Sequence, residues 1–223
     1  MIAWDEVNTA LGYFLDDTGA SLSHSVPLRI LAWNAAQDTF VNHTARERQV
    51  ELTLKEDGRS VVLPDDYFEA AMLYDSTNQK FYYPAKYQYG GYRDPEGDEY
   101  SVWTWGGNLY LGRQATEAET TQLYYFAYWP KVTYTIADAV VTITEGDILV
   151  PRWAQPALLH LTAAYVLQPM AVSSARNREY NIMIDSGRPT DNARSAQARE
   201  HLFWYNELLG LHAPQSRLGG ITR

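Results

Sequence analysis

The sequence predicts an α+β fold in which a helical bundle, made of two N-terminal and two C-terminal helices, carries an inserted antiparallel β region. Three observations predict it. Apolar residues recur at helical spacing over residues 3–16 and again from Ser25 to about His43. The period changes to two from about Val50. It returns to helical spacing over residues 152–168, so the β region lies between two helical pairs.

Composition places the chain among globular proteins. It has 223 residues, of which 46% are hydrophobic, 13% aromatic and 20% charged, enough apolar mass for a sizeable core. Cysteine is absent, which excludes a disulfide framework, a thiolate nucleophile and a cysteine-based zinc site. No stretch reaches the roughly 18 apolar residues of a membrane span, and no signal peptide is visible. We therefore expect synthesis in the cytosol and no membrane partner.

Four segments follow from the change of pattern along the chain. Residues 1–48 are predicted to form an N-terminal helical hairpin of the bundle, and residues 49–151 the antiparallel β insertion. Residues 152–212 are predicted to form the C-terminal helices of the bundle. Residues 213–223 contain proline and glycine but no apolar stripe, which is typical of an extended tail.

The first two helices are predicted from their stripes and their ends. The first stripe ends before Gly19, a plausible C-cap, and the second helix begins at Ser25, with Pro27 in its first turn. The first stripe is Trp4, Val7, Leu11 and Phe14; the second is Leu28, Leu31 and Ala35, joined by Ile30 and Trp33.

The β region is predicted to begin with a hairpin. Residues 51–54 alternate, Asp57-Gly58 is a turn signal, and residues 60–63 form the returning strand. Gly106-Gly107 indicates a second tight hairpin. The further predicted strands are Ala71–Tyr74, Lys80–Tyr83, Tyr100–Trp105, Asn108–Leu111, Thr121–Trp129, Val140–Ile143 and Ile148–Val150.

The third helix is predicted over residues 152–168, with Pro156 in its first turn and a possible helical continuation over residues 170–180. Thr190 or Asp191 can cap a fourth helix that ends near Leu211. The stripe of the third helix is Ala154, Leu158, Leu161 and Tyr165, and that of the fourth is Ala198, Leu202, Tyr205 and Leu209. Three further apolar residues widen the fourth stripe and are candidate subunit contacts: Phe203, Trp204 and Leu208.

Charge is unevenly distributed around a net value of −9. Residues 1–151 carry 10 Lys/Arg and 22 Asp/Glu, a balance of −12, whereas residues 152–223 carry 8 Arg and 5 Asp/Glu, a balance of +3. An acidic protein is a poor candidate for wrapping nucleic acid through its phosphates. The arginine-only C-terminal part could favour an acidic partner surface, although ordinary scatter of surface charge explains it equally well.

Catalytic and cofactor signatures are absent from the sequence, and we predict no catalytic, cofactor-binding or metal-binding residues. There is no helical zinc motif, nucleophile elbow or phosphate-binding glycine loop. His160 is expected to be a structural histidine within the third helix. The residues Asp65, Asp66 and Glu69 are expected to cap a turn; paired glycosidase carboxylates are the less favoured interpretation.

Aromatic residues are frequent in the β region and have three interpretations. They can simply form the sheet and its core, which is the favoured interpretation. They can anchor a protein interface, where tyrosine and tryptophan are enriched. They can also form a stacking platform for sugars, as in a carbohydrate- or receptor-binding tail module. The residues are Tyr82, Tyr83, Tyr87, Tyr89, Tyr92, Tyr100, Trp103, Trp105, Tyr124, Tyr125, Tyr128 and Trp129.

The order of these segments resembles one known family. WDEVNTALGYFLDD and LRILAWNAAQDTF are followed by LPDDYFEAAMLYD, YYFAYWPKVT and ILVPRWAQPALLHLTAAYVL, and then by the last helix and its tail. In this order they resemble the head-to-tail adaptor proteins of tailed bacteriophages, also called connector or head completion proteins, of the short-tailed type.

The resemblance implies a structural virion protein at the head–tail junction rather than an enzyme. It implies a ring, usually of twelve copies, beneath the portal protein, which extends the DNA channel and provides the docking platform for a tail or nozzle protein. Double-stranded DNA would pass through it during ejection without sequence-specific binding. The C-terminal tail would contact the portal, with Arg217, Leu218, Ile221 and Arg223 as candidate contacts. A peptidoglycan-degrading virion enzyme is the alternative.

Overall fold

The computed structural model describes residues 2–18, 23–55, 58–76, 78–84, 101–115, 117–138, 140–168 and 193–211. The chain is divided into two compact units. The helical unit comprises residues 1–44 and 129–223, and the sheet unit comprises residues 45–128. The elements in chain order are β1 (Ile2–Ala3), α1 (Trp4–Phe14), α2 (Val26–Phe40), β2 (Arg46–Leu54), β3 (Ser60–Val62), β4 (Tyr67–Asp75), β5 (Lys80–Pro84), β6 (Ser101–Trp105), β7 (Asn108–Leu111), β8 (Glu119–Ala127), β9 (Thr133–Ala137), β10 (Val140–Glu145), β11 (Asp147–Ile148), a 3-10 turn (Arg152–Ala154), α3 (155–168) and α4 (Ala193–Leu211).

The helix α3 is the centre of the helical unit, because it is buried on almost every side. Three residues of its predicted stripe, Ala154, Leu158 and Leu161, are buried, and Tyr165 is partly buried. Ala163 and Ala164, whose side chains are small, are also fully buried. A buried alanine leaves little space between α3 and its neighbours, so those positions allow close packing.

The predicted limits of α1 and α2 are close to the observed ones, and the α1 stripe is confirmed. Trp4, Val7 and Leu11 are buried and Phe14 packs against them. The α2 stripe is wrong in part, since Leu31 is 58% exposed and Ala35 is exposed. The buried face of α2 instead consists of seven residues, one of which is charged: Arg29, Ile30, Ala32, Trp33, Ala36, Gln37 and Phe40.

Two small sheets belong to the helical unit and were not expected in that form. β1 pairs with β11, and the backbone N–H of Trp4 donates to the carbonyl of Gly146 at 3.0 Å, which fixes the beginning of α1. β9, which the sequence pattern did not predict, pairs with β10 as an antiparallel hairpin. Asn34 of α2 binds the backbone of Val132 through both its side-chain amide nitrogen and its oxygen, at 2.9 and 3.0 Å.

The sheet unit is one seven-stranded mixed sheet that curls into a near-barrel. The strands follow the order β2-β8-β4-β5-β6-β7-β3. Their inward-facing side chains form a separate core, which consists mainly of aliphatic residues: Leu52, Leu54, Ala70, Leu73, Tyr82, Val102, Leu109, Leu111, Ala115, Leu123, Tyr125 and Ala127.

The predicted hairpin between residues 51–54 and 60–63 is wrong. β2 pairs over nine residues with β8, from Arg46↔Ala127 to Leu54↔Glu119, while β3 pairs with β7 at the other end of the strand order. A turn signal determines only where the chain bends. The long register with β8 buries Leu52 and Leu54 against the core, which a three-residue partner cannot do.

The second predicted hairpin, at Gly106-Gly107, is confirmed. β6 and β7 are antiparallel, with Trp105 opposite Asn108. Gly106 and Gly107 have φ values of 56° and 78°, the pair of positive angles that a two-residue type I′ turn requires. Glycine adopts these angles without the steric cost that a Cβ imposes.

The predicted fold class, a helical bundle with an inserted antiparallel β region, is therefore wrong. The described residues form four helices and a large mixed sheet, and about 37% of them are in strands. The sheet is mixed because β5 and β6 run parallel, with Tyr83 opposite Ser101. Periodicity locates strands, but the number that join one sheet depends on pairings between residues far apart in sequence.

Among the described helices, none combines the length and the apolarity that crossing a membrane requires. The possible Gly19 cap, the Asp57 turn position, the suggested helix over residues 170–180 and the Thr190 or Asp191 cap fall outside the described residues.

Candidate functional site

The outward side of α4 presents two adjacent aromatic side chains to solvent. Phe203 is 56% exposed and Trp204 is 46% exposed, and their rings meet edge to face with centroids 5.6 Å apart. The other side of the helix is anchored by Ala198, Tyr205 and Leu209, three residues of the predicted stripe. Leu208 is partly buried against the same core. Two of the three candidate subunit contacts therefore lie on the surface, and the third supports them.

A histidine pair lies directly beneath this aromatic surface. The Nδ1 atoms of His160 on α3 and His201 on α4 are 2.9 Å apart, a hydrogen bond in which one ring donates and the other accepts. Trp204 stacks over His160, and Phe14 of α1 contacts both imidazoles, with ring centroids 4.8 and 6.0 Å away. Three helices thus meet at one aromatic cluster, which continues outward to Phe203.

Burial shifts the titration of both imidazoles. Burial, together with the neighbouring His201, lowers the pKa of His160 to about 4, and burial also lowers the pKa of His201. Glu200, on α4, opposes the shift in both cases, and the backbone of Phe14 opposes it for His201. The pair is consequently neutral at pH 7, as a structural role for His160 requires.

The remaining predicted site residues either lie outside the described residues or belong to a turn or a strand of the sheet unit. Arg217, Leu218, Ile221 and Arg223 lie beyond residue 211. Asp65 and Asp66 form the turn before β4, where the N–H of Tyr67 donates to the carbonyl of Pro64 at 3.0 Å. Glu69 lies on β4 opposite Phe126.

Asp66 is held as an ionised acceptor. Arg48 Nη1 donates to its Oδ2 at 2.6 Å, and the Tyr125 hydroxyl donates to its Oδ1 at 2.9 Å. Burial raises the pKa of Asp66, but these two donors outweigh it and the pKa lies below its ordinary value. A general acid for glycoside hydrolysis needs the opposite shift. The geometry therefore favours the turn-stabilising interpretation of this carboxylate.

A second charged network crosses the inner side of the sheet unit. Arg113 donates to Asp75 Oδ2 at 2.6 Å, to Glu119 through two nitrogens, and to the Tyr82 hydroxyl at 2.6 Å. Asp75 and Glu119 are 0% and 2% exposed. Buried carboxylates that share a guanidinium are a structural arrangement, since the guanidinium supplies the hydrogen-bond donors that their oxygens need away from water. No spacing in the sequence distinguished these residues.

A third charged cluster ties the end of α1 to α2, and sequence patterns also missed it. Arg29, 1% exposed, donates to Asp17 Oδ2 at 2.7 Å and to the side chain of Asn8 at 3.1 Å. Asp17 also accepts the backbone N–H groups of Ser23 and His24 and the ring of His24. Burial raises the pKa of Asp17, yet these donors outweigh it and the pKa lies well below the ordinary value. A cavity of about 230 Å³ opens beside the cluster.

Within the part of the chain that the structure describes, no group of three histidine, aspartate or glutamate side chains is placed to hold a metal ion. No model of a known protein family matches this sequence. No curated protein matches it either.

Proposed function

We propose that this chain is a structural virion protein, a head-to-tail adaptor that assembles as a ring beneath a bacteriophage portal, extends the DNA channel and carries tail proteins. The observation that supports this most directly is the exposed Phe203–Trp204 pair on α4. Aromatic side chains that remain in solvent on a rigid helix are typical anchors of protein interfaces. A virion location at the head–tail junction is part of the same proposal.

A ring requires a heterologous contact, in which one face of each copy binds a different face of the next. The α4 surface supplies one such face. Its rings are held in place from beneath, because Trp204 stacks on His160 and His160 is itself bound to His201. A preorganised contact loses less side-chain entropy when it binds. Its exposure in a single copy is consistent with assembly on a partner.

The negative net charge of the chain is suited to a ring through which DNA passes. A net charge of −9 disfavours tight binding to phosphates, so DNA could pass along the ring without being held. The portal contact is assigned to the tail, residues 213–223, whose Arg217, Leu218, Ile221 and Arg223 combine positive charge with apolar groups.

The test is the mass of the full-length protein, measured by mass photometry alone and after mixing with the portal protein of the same phage. We expect a small species alone and a ring on the portal. Trp204→Ser with Phe203→Ser should prevent ring formation, while circular dichroism stays unchanged because both side chains are exposed. Removal of residues 213–223 should abolish docking to the portal.

A matched control is Leu31→Ser, which changes an apolar side chain of the same unit that is 58% exposed but lies on α2. It should assemble like the parent protein. The proposal would be overturned by a small oligomer whose mass does not change when the portal protein is added. It would also be overturned if the doubly substituted α4 variant still formed rings.

A further inference from the structure

The strands of the sheet unit differ sharply between their two faces. Core positions are mainly aliphatic, as described above, whereas the opposite positions carry aromatic side chains on five neighbouring strands, β8, β4, β5, β6 and β7. The registers place these side chains on one continuous face, since Phe126 lies opposite Glu69, Tyr74 opposite Phe81 and Trp103 opposite Tyr110. We call this the outer sheet face; its aromatic members are Tyr74, Phe81, Tyr83, Trp103, Trp105, Tyr110, Tyr124 and Phe126.

Several of these rings are strongly exposed. Trp105 is 74% exposed, Tyr83 is 53% exposed and Phe81 is 47% exposed. The rings also touch across strands, with centroids 4.7 Å apart for Tyr74 and Phe81 and 5.6 Å apart for Trp103 and Tyr110. Contiguous exposed aromatic surface of this kind marks an interaction site rather than an unpartnered face.

Charge on the same face has a single sign. Glu47, Glu51 and Glu69 occupy outward positions, next to neutral Gln49 and Gln122, whose side chains are hydrogen-bonded at 2.9 Å. Among the described strand residues, no lysine or arginine occupies an outward position. Arg46 and Arg48 of β2 alternate to the other side, and so does Lys80 of β5, which lies opposite the buried Asp75. At the described strand positions, the outer sheet face therefore combines carboxylates with aromatic rings and contains no lysine or arginine.

We propose that the outer sheet face is a docking surface for a protein segment that presents arginine side chains. A guanidinium can bind a carboxylate through two parallel hydrogen bonds and lie against an aromatic ring at the same time. Its aliphatic stem packs on the ring as well. Lysine offers only a compact charge, so the surface should discriminate between the two cations. This inference goes beyond ring formation and does not depend on it.

A sugar-stacking platform fits the geometry less well. Flat stacking of a sugar needs open ring faces, and the Trp103 and Tyr110 rings lie nearly parallel, 13° apart, against each other. The carboxylates can accept hydrogen bonds from the hydroxyl groups of a neutral sugar, but such a sugar lacks the positive charge by which they attract a guanidinium. An anionic polymer would be repelled by this face.

The test is calorimetric titration of the full-length protein with three probes: a twelve-residue peptide of alternating arginine and glycine, the same peptide with lysine for arginine, and cellohexaose. We expect the arginine peptide to bind about two- to fivefold more tightly than the lysine peptide, the ratio that a cation–π contribution of about 0.5–1 kcal/mol gives. Cellohexaose should not bind.

Two sets of substitutions locate the site. Phe81→Ser, Tyr83→Ser and Trp105→Ser together should reduce the affinity for the arginine peptide at least about tenfold and remove its preference over lysine. Glu47→Gln with Glu51→Gln should weaken both peptides and flatten their salt dependence. The control is Tyr13→Ser, on α1 of the helical unit and 73% exposed, which should leave binding unchanged.

Equal affinity for the arginine and lysine peptides would overturn the inference, because charge alone would then explain the binding. Binding of cellohexaose that the triple substitution abolishes would overturn it in favour of a carbohydrate surface. Absence of binding by all three probes would also overturn it. None of these results bears on ring formation, which the portal experiment measures separately.

Discussion

The Nδ1 atoms of His160 and His201 lie 2.9 Å apart, so two basic rings on different helices share one proton. The contact joins α3, which is central to the helical core, to α4, which carries the proposed subunit contacts. Protonation of both rings would place two positive charges at hydrogen-bond distance and leave neither Nδ1 able to accept. The attachment of α4 is therefore sensitive to acid.

The first prediction concerns stability in acid. Since the pKa of His160 is lowered from 6.5 to about 4 in the folded state, the unfolded chain takes up its proton first as the pH falls. The histidine contribution is fully present above pH 6.5 and is lost between pH 6.5 and about 4, at an expected cost of about 1–3 kcal/mol. Urea unfolding at a series of pH values measures it.

His201→Gln removes one of the two titrating rings and should reduce this pH dependence in part, because burial, the largest cause of the lowered His160 pKa, remains. The same variant should also loosen Trp204, which a change in fluorescence would report. An unchanged pH profile in the variant would show that other groups govern the acid response.

The second prediction concerns the buried ion pair of the helical unit. Arg29→Met leaves the Asp17 carboxylate buried without its guanidinium partner, and we expect a loss of about 3–5 kcal/mol in the free energy of unfolding. Arg48→Met is the matched control, because the side chains of Arg48 and Asp66 are 42% and 31% exposed, and it should cost within about 1 kcal/mol. Comparable losses in the two variants would contradict the distinction between buried and exposed pairs.

The third prediction compares two glycines. Gly107→Ala should destabilise the protein by about 1 kcal/mol, because a Cβ is strained at φ = 78° although nothing crowds it. Gly210→Ala, in α4 with open space around it, should instead stabilise it by about 0.5–1 kcal/mol. Thermal unfolding would show the two shifts in opposite directions, and shifts of the same sign would be inconsistent with the turn assigned here.

The fourth prediction concerns the lytic alternative. Asp66 is ionised and bound to Arg48, so we expect no peptidoglycan-degrading band in a zymogram of the full-length protein. If a band appears, Asp65→Ala, Asp66→Ala and Glu69→Ala should be examined singly. A band that any one of them abolishes would establish the enzyme that the proposed function excludes.

Sequence periodicity was sufficient for features that depend on near neighbours. The stripes of α1 and α4, the limits of α1 and α2 and the Gly106-Gly107 turn all reflect spacings of a few residues, and each was predicted closely. Phe203 and Trp204 were predicted only as apolar residues that widen the α4 stripe, and the structure alone shows that they are exposed. The tail contacts at Arg217 to Arg223 stay a prediction.

Features that depend on distant residues needed the tertiary structure. β2 pairs with β8 instead of β3 because a nine-residue register buries more apolar surface than a nearby three-residue strand can, and no local signal encodes that comparison. Arg29 and Asp17, or Arg113 with Asp75 and Glu119, are ordinary charged residues until folding removes their water and makes each the other's partner. The sequence by itself determined where the helices, most strands and the Gly106-Gly107 turn form. The tertiary structure alone decided which strands share a sheet, which charges are buried and which aromatic face remains in solvent, because these depend on the summed burial of residues that only folding brings together.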